Sequence, residues 1–531
     1  MTTPLDTDGQ FELPPGELRA LAHRMVDDWC DSLATLRDEP AWRPVPTEVR
    51  ARLRAPLAHR GAGLAAAYGE FRRDVLPYRY GNVHPRFWGW VNGSGLPAGV
   101  LADFLAASMN SNVGAFEQSA VYVEEQVLAW LRELFAFPPD GDGILTSGGS
   151  LANLLGLAAA RHAHAPAVRA HGLAGQQLTL YGSRETHSSI DKAVELLGLG
   201  LASFRRLPVD GEYRLRLDAL EQALREDRAR GCTPFALIAN AGTVNTGAID
   251  PLAELAALAR REKLWLHVDG AFGALAWLSP EHRGLLAGLD QADSLAFDLH
   301  KWLYLPSDVG CVLVRRPRGL AEAFTTRAPY LVNLRGGLSA VADGAFKDRG
   351  LELTRRFRAL KVWFALKTHG LEPFERAIRA NLEQARELVR LIAREPELEL
   401  LAPAPLNVVC FRYRGAGFDG ARLDDVGLDD VGLDDVGLDD VGLDAVGLDA
   451  AALNALNLDA LNQELLVRLQ ESGVAVPSQT ILGGRFALRV AITNHRTRSA
   501  DLELLVRRVL ELGAALEHEH VPVFPAPSPR S

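Results

Sequence analysis

Apolar and polar positions divide the chain into three regimes. From about Gly16 to Glu70, Leu18, Leu21, Met25 and Trp29 recur near a 3.6-residue period, and Pro40, Pro44 and Pro46 interrupt the pattern. This predicts an N-terminal helical segment over residues 1–80. Between about 140 and 315 the period changes: the short apolar runs GILTS, QLTLY, FALIAN, LWLHVD, SLAFD and GCVLV alternate with helical stretches. Strand-length runs separated by amphipathic helices predict an α/β fold, with a mostly parallel central sheet flanked by helices. Residues 81–375 are read as this large unit, closed by the helical run RRFRALKVWFALKTHG. A small C-terminal α+β domain is expected over 376–517, with strands at NVVCFRYR and FALRVAI and a last helix at DLELLVRRVLELGAALE.

One stretch obeys none of these periods. The pentad LDDVG starts at Leu423, Leu428, Leu433 and Leu438 and degenerates to LDAVG at Leu443. A five-residue repeat places its Leu and Val on no single helical or strand face, and its Gly and paired Asp favour turns. Residues 423–447 are therefore read as an expanded surface loop inside the C-terminal domain, with a repeat-built binding scaffold as the non-enzymatic alternative. The Pro-rich tail, 518–531, is expected to be disordered.

The repeat also changes the meaning of the charge. The 531 residues carry a net charge of -10, yet nine of the Asp fall within 423–447, and the rest of the chain is near neutral. No global positive field exists for nucleic acid or an anionic membrane. The four cysteines, Cys30, Cys232, Cys311 and Cys410, form no CxxC pair, so buried free thiols are expected, without a thiolate metal site. The N-terminus has no basic start followed by an apolar core, and GLPAGVLADFLAASM is interrupted by Asp103 and too short to span a bilayer. A cytoplasmic protein is expected.

Five polar motifs sit at the ends of candidate strands. In Asp298-Leu299-His300-Lys301-Trp302, the lysine follows SLAF, where its amine is suited to Schiff-base formation with an aldehyde; alone, the motif also fits a turn with a solvated lysine. LWLHVDGAFGA ends a strand at Asp269, whose carboxylate suits a pyridinium nitrogen or, equally, a helix cap. Thr146-Ser147-Gly148-Gly149-Ser150 turns a strand into a helix, as a phosphate site or a plain tight turn would. Glu185-Thr186-His187 places an imidazole at a strand end, and Asn240-Ala241-Gly242-Thr243 is a Gly-containing polar turn. Ligands of such sheets bind outside the carboxyl ends of the strands. An amine for an aldehyde, a carboxylate for a ring nitrogen, a His for a ring face and a Gly-Ser turn for a phosphate together point to pyridoxal 5'-phosphate (PLP).

The order TSGGSLAN, THSS, AGTVNTGAIDP, HVDGAFGA, DLHKW resembles the PLP-dependent group II amino-acid decarboxylases, which include aromatic-amino-acid, glutamate and diaminobutyrate decarboxylases. The resemblance runs from about His84 through the C-terminal unit, omitting the repeat and the tail. It implies a fold-type I PLP-dependent transferase fold, a homodimer with interfacial active sites, and decarboxylation of an L-amino acid to amine and CO2. By the same resemblance Lys301 is the Schiff-base lysine, Asp269 binds the pyridine nitrogen and His187 stacks on the ring. Gly149, Ser150, Ser294 and His300 contact the phosphate, and Ala271 packs on the opposite ring face. Trp90, Val91, Ala115 and Phe116 are candidates for the substrate pocket. Where these decarboxylases usually present a tyrosine that protonates Cα, an ungapped count from Arg355 reaches Phe346, leaving Tyr330 or His187 as the donor and opening an aldehyde-forming alternative. Transamination is a further alternative, with Arg485 and Arg489 as candidate carboxylate ligands.

Overall fold

The computed structural model describes residues 13–326, 329, 336–340, 345–415 and 450–519. The LDDVG repeat, Tyr330 and all but the first two residues of the expected tail lie outside this set. Among the described residues, the large sheet has seven strands: β1 (Asp142–Thr146), β2 (Leu178–Ser183), β3 (Phe204–Leu207), β4 (Thr233–Asn240), β5 (Trp265–Asp269), β6 (Ser294–Asp298) and β7 (Gly310–Val314). Their spatial order is β1-β7-β6-β5-β4-β2-β3. Pairing is parallel from β3 through β6, whereas β7 runs antiparallel to both neighbours. All five residues of β5 and of β6 are buried, as expected for strands covered by helices on both faces. The alternation of strand and helix identified the α/β class but not the direction of GCVLV. That direction follows from the short link after β6, since a parallel crossover needs a dozen or more residues.

A second sheet, of order β10-β11-β9-β8, comprises β8 (Leu398–Leu400), β9 (Val408–Tyr413), β10 (Ser478–Leu482) and β11 (Arg485–Ala491). It has its own apolar cluster, in which Val409, Phe411 and Leu488 pack with Leu502, Leu505 and Val509 of the last helix, Ser499–Glu517. Trp88 belongs to that cluster although the expected boundaries assign it to the large unit. Its backbone exchanges hydrogen bonds with Val476 (2.8 Å) and Ala491 (3.0 Å), and its indole N–H donates to Thr497 Oγ1 (3.2 Å). Three short strands, FRRL, LEL and SQTIL, carry too little apolar sequence to have been expected.

The N-terminal segment forms helices Pro15–Ala34, Thr47–Arg52 and Leu64–Glu70. Its periodic stripe is only partly covered within one chain: Leu21 is buried and Met25 and Trp29 are half-buried, whereas Leu18 is about half exposed. Of the four cysteines, Cys311 and Cys410 are buried, Cys232 is intermediate and Cys30 is exposed, so two of the four match the expected burial. Among the described residues, no helix is long and apolar enough to cross a membrane.

A buried ion pair links the helix Ser119–Leu134 to the segment preceding the helix Ala359–His369. Arg355 Nη2 lies 2.6 Å from Glu124 Oε1 and donates to the Leu145 carbonyl at 2.7 Å, and both side chains are fully buried. Removing one partner strands the other charge, at a cost of about 3–5 kcal/mol. Arg355→Met is expected to lower unfolding stability in urea by that amount, and Arg355→Met with Glu124→Leu to recover most of it; equal losses in both variants would contradict this account.

Candidate active site

Parallel register brings the strand ends to one level. Asn240 is paired with Asp269 and Asp269 with Ala296, two residues before Asp298. A cavity of about 700 Å³ opens at these ends. Lys301, Asp269, His187, Gly149, Ser150, Ala271 and His300 all line it.

The phosphate-sized end is built from backbone. The helix Gly149–His164 begins immediately after the β1 turn, and no side chain caps its first N–H groups. Four such donors are free at any helix start, and the macrodipole favours an anion there. Glycine is required by proximity: a Cβ on Gly149 would lie 2.9 Å from Asp298 Oδ2 and 3.5 Å from Ala271 Cβ. His300 stands beside this turn, its Nδ1 held within 2.9 Å of the Val309 carbonyl and 3.2 Å of the Val309 amide.

Lys301 projects from the short helix Leu299–Trp302, with Nζ 2.8 Å from Asp298 Oδ2. Asp298 is buried, and among the described residues its Oδ1 has no hydrogen-bond partner. At the end of β5, Asp269 Oδ1 accepts the Ala271 amide (3.1 Å) and Oδ2 accepts from Asn153 Nδ2 (2.9 Å). The Nδ1 of His187 accepts the Ser189 amide at 3.1 Å, so its proton resides on Nε2. Burial lowers the His187 pKa, against the opposing influence of Asp269. The polar turn after β4 is held by Asp250, whose carboxylate accepts the Asn240 amide (2.7 Å) and the Leu215 amide (2.7 Å). Burial pushes its pKa up to about 6.

Several expected residues lie elsewhere. Ser294 is at the amino end of β6, where its Oγ is 2.8 Å from both Trp265 Nε1 and His267 Nδ1, so it does not reach the phosphate end. SLAFD is a strand, and its first and last residues open at opposite edges of the sheet. Phe346 is buried between the guanidinium groups of Arg355 (5.0 Å) and Arg349 (4.7 Å), a packing position outside the cavity. Trp90 and Val91 do line the cavity, but Ala115 and Phe116 do not. Arg485 is paired with Glu399. Arg489 is buried, donating to the Asn245 carbonyl (3.1 Å) and to Ser478 Oγ (3.3 Å). Neither arginine lines the cavity. Sequence reasoning gave no role to Asp298 or Asn153. Asp298 satisfied the same strand-end criterion as Asp269, whereas Asn153 closes the TSGGSLAN motif one helical turn beyond the glycines, where nothing in the motif points to Asp269.

The residues present fit PLP: an amine, a carboxylate at a strand end that forms no ion pair among the described residues, an imidazole whose Nδ1 accepts an amide, and an uncapped helix start. Such a set, at the strand ends of a mostly parallel sheet, defines a PLP-dependent lyase of the amino-acid decarboxylase type. The chain belongs to the pyridoxal-dependent decarboxylase family, whose conserved-domain model matches residues 48–414. It is 35% identical over 406 residues to an aromatic-L-amino-acid decarboxylase of Bacillus atrophaeus, covering 76% of this chain and 83% of that one. A phenylacetaldehyde synthase of Petunia hybrida is 31% identical, with 76% and 82% covered. The Oryza sativa TDC structure with PLP and tryptamine superposes with a TM-score of 0.81 at 27% identity, covering 97% of this chain and 100% of that one.

Gly149→Val fills the phosphate end without touching the apolar core. It is expected to weaken PLP binding at least about tenfold, the loss of one or more charge-assisted hydrogen bonds, in fluorescence titration of the apoprotein. Burial also holds His267 neutral, its pKa lowered to about 4. The stability this neutral form contributes is complete above the ordinary histidine value near 6.5 and lost as pH falls toward about 4. The urea midpoint is therefore expected to drop across that window, and less steeply in His267→Gln; parallel pH profiles would contradict this.

Proposed function

We propose that the chain decarboxylates an aromatic L-amino acid, with Lys301, Asp269 and His187 as its catalytic residues. The observation that carries this reading is the convergence of those three side chains and an uncapped helix start in one cavity. The aromatic preference is supported by the walls, Tyr80, Trp90 and Phe272, and by the names of the relatives. Tyr80 and Trp90 stack with centroids 5.8 Å apart, a flat surface suited to a planar side chain.

Bound PLP supplies an aldehyde that takes up the substrate amine and a protonated ring that accepts the electron pair left as CO2 departs. Lys301 is the amine that anchors the cofactor between turnovers, Asp298 holding that amine in place. Asp269 keeps the proton on the ring nitrogen. Gly149, Ser150 and His300 would receive the phosphate, and His187 and Ala271 would hold the ring. His187 is the proposed donor to Cα among the described residues: taking up a second proton to become imidazolium, it would give the Nε2 proton to Cα and return to the neutral ring; Phe346 is too deeply packed to occupy that place.

The helix Pro97–Met109 exposes Leu101, Phe104, Leu105 and Met109, which supports assembly as a homodimer. The protein is proposed to be cytoplasmic. The Petunia relative supports aldehyde formation as a second reading.

Purified protein is expected to be yellow, and to lose its visible band on borohydride reduction through Lys301. With L-tryptophan, L-tyrosine and L-phenylalanine it is expected to yield CO2 and amine in equal amounts. Hydrogen peroxide with aldehyde would establish the second reading instead. Asp269→Ala is expected to lower turnover by about 10²-fold or more. Failure to take up PLP, or full turnover by Asp269→Ala, would overturn the proposal.

A further inference from the structure

Behind Asp269 lies a hydrogen-bond chain that the chemistry above does not use. Asn153 Nδ2 donates to Asp269 Oδ2 (2.9 Å) and to Ser189 Oγ (3.0 Å). Its Oδ1 lies 2.9 Å from His267 Nε2, and His267 Nδ1 lies 2.8 Å from Ser294 Oγ. Trp265 Nε1 closes the chain at 2.8 Å from the same oxygen. On the other side, Ser189 Oγ lies 2.8 Å from His187 Nδ1. Asn153, His267, Ser294 and Ser189 are all at most 2% exposed.

Donor and acceptor chemistry gives this chain one direction. The Asp269 carboxylate only accepts, so the Asn153 amide presents its nitrogen there and its oxygen to His267. An amide oxygen only accepts, so His267 Nε2 carries the proton, and Nδ1 of the neutral ring accepts the Ser294 hydroxyl while Ser294 Oγ accepts from Trp265 Nε1. Reversing His267 would require an amide flip that sets oxygen against a carboxylate. Ser189, accepting from Asn153, is free to donate to His187 Nδ1, which already accepts the Ser189 backbone amide. The carboxylate end therefore sets the polarity, and the indole end, which only donates, is compatible with it. Space confines the ring as well: a Cβ on Gly156 would come within 2.8 Å of His267 Nδ1.

We propose that His267 is a positioning residue for the PLP site: by fixing the Asn153 amide it orients both the carboxylate that meets the ring nitrogen and the imidazole proposed to lie on the ring face. The inference rests on the PLP-site reading above and extends it to a residue that touches neither substrate nor cofactor. Deleting His267 leaves the buried Asn153 oxygen without its donor, so the amide that meets the Asp269 carboxylate and Ser189 is held through its nitrogen alone. The electronic state of the ring then shifts even where the fold persists.

The test compares wild type, His267→Phe, His267→Gln and Ser294→Ala as holoenzymes, reading PLP affinity, the pH midpoint of the visible absorption band and the division between kcat and KM. His267→Phe is expected to weaken PLP binding about tenfold, displace the band's pH midpoint and lower kcat at least tenfold, with KM changed less than about twofold, as for the loss of one hydrogen bond to a charged group. His267→Gln keeps an N–H donor for Asn153 Oδ1 and is expected to restore most of each. Ser294→Ala, which removes the hydrogen bond to His267 Nδ1 at the loss of one atom, is expected to displace the midpoint in the same direction, and it carries the test if His267→Phe does not fold. A wild-type midpoint and affinity in folded His267→Phe or Ser294→Ala, or no recovery in His267→Gln at equal stability, would overturn the inference. Wild-type protein that takes up no PLP would instead overturn the reading on which it rests.

Discussion

The site depends on the parallel register of β4, β5 and β6. Each strand is mainly apolar and ends in a polar residue at its carboxyl side, so the register sets Asn240, Asp269 and Asp298 near one another at the edge of a sealed core. A slip of one residue would turn every side chain to the other face of the sheet, sending these polar groups into helices and apolar side chains into the cavity. The fully buried interiors of the strands make that slip prohibitive. Catalytic geometry is thus fixed by the same apolar packing that holds the sheet together, and the polar ends contribute chemistry without having to define position.

Much of this was readable from the chain. The strand-helix alternation identified the sheet, and the five motifs converged because strand ends converge in any parallel sheet. Residues that were misread share a physical cause. Ser294 and Lys301 are close in sequence, but a strand carries its first residue a full sheet width from its last. Phe346 was placed by counting along a loop, and loops set no spatial period; two guanidinium groups held it in the core instead. Asn153 and His267 went unnoticed because their roles arise from contacts between residues more than a hundred positions apart. Pattern along a chain reports such contacts only when both partners lie on elements of known register.

Charge carries a similar lesson. The acidic total is a property of the pentad array, while around the cavity the formal charges largely pair off: Lys301 with Asp298, and Arg355 with Glu124 beneath. Selectivity in such a cavity arises from shape and from where individual protons reside. Tyr80 and Trp90 supply the shape, and the Ser189 amide sets the His187 proton on Nε2.

The wall containing Trp90 is fastened by residues from the far end of the chain: Trp90 N–H to Ser478, Asn92 carbonyl to Thr493 and Ser94 to His495. About four hundred residues separate these partners, and the whole seven-stranded sheet is made between them. During synthesis the sheet and its polar strand ends emerge and can pack first, while this wall stays unfastened until the ribosome has released β10 and β11. A nascent chain therefore passes through a stage with an open, solvent-filled cavity, and premature termination before residue 478 would leave a protein with Lys301 and Asp269 in place but no wall to exclude water.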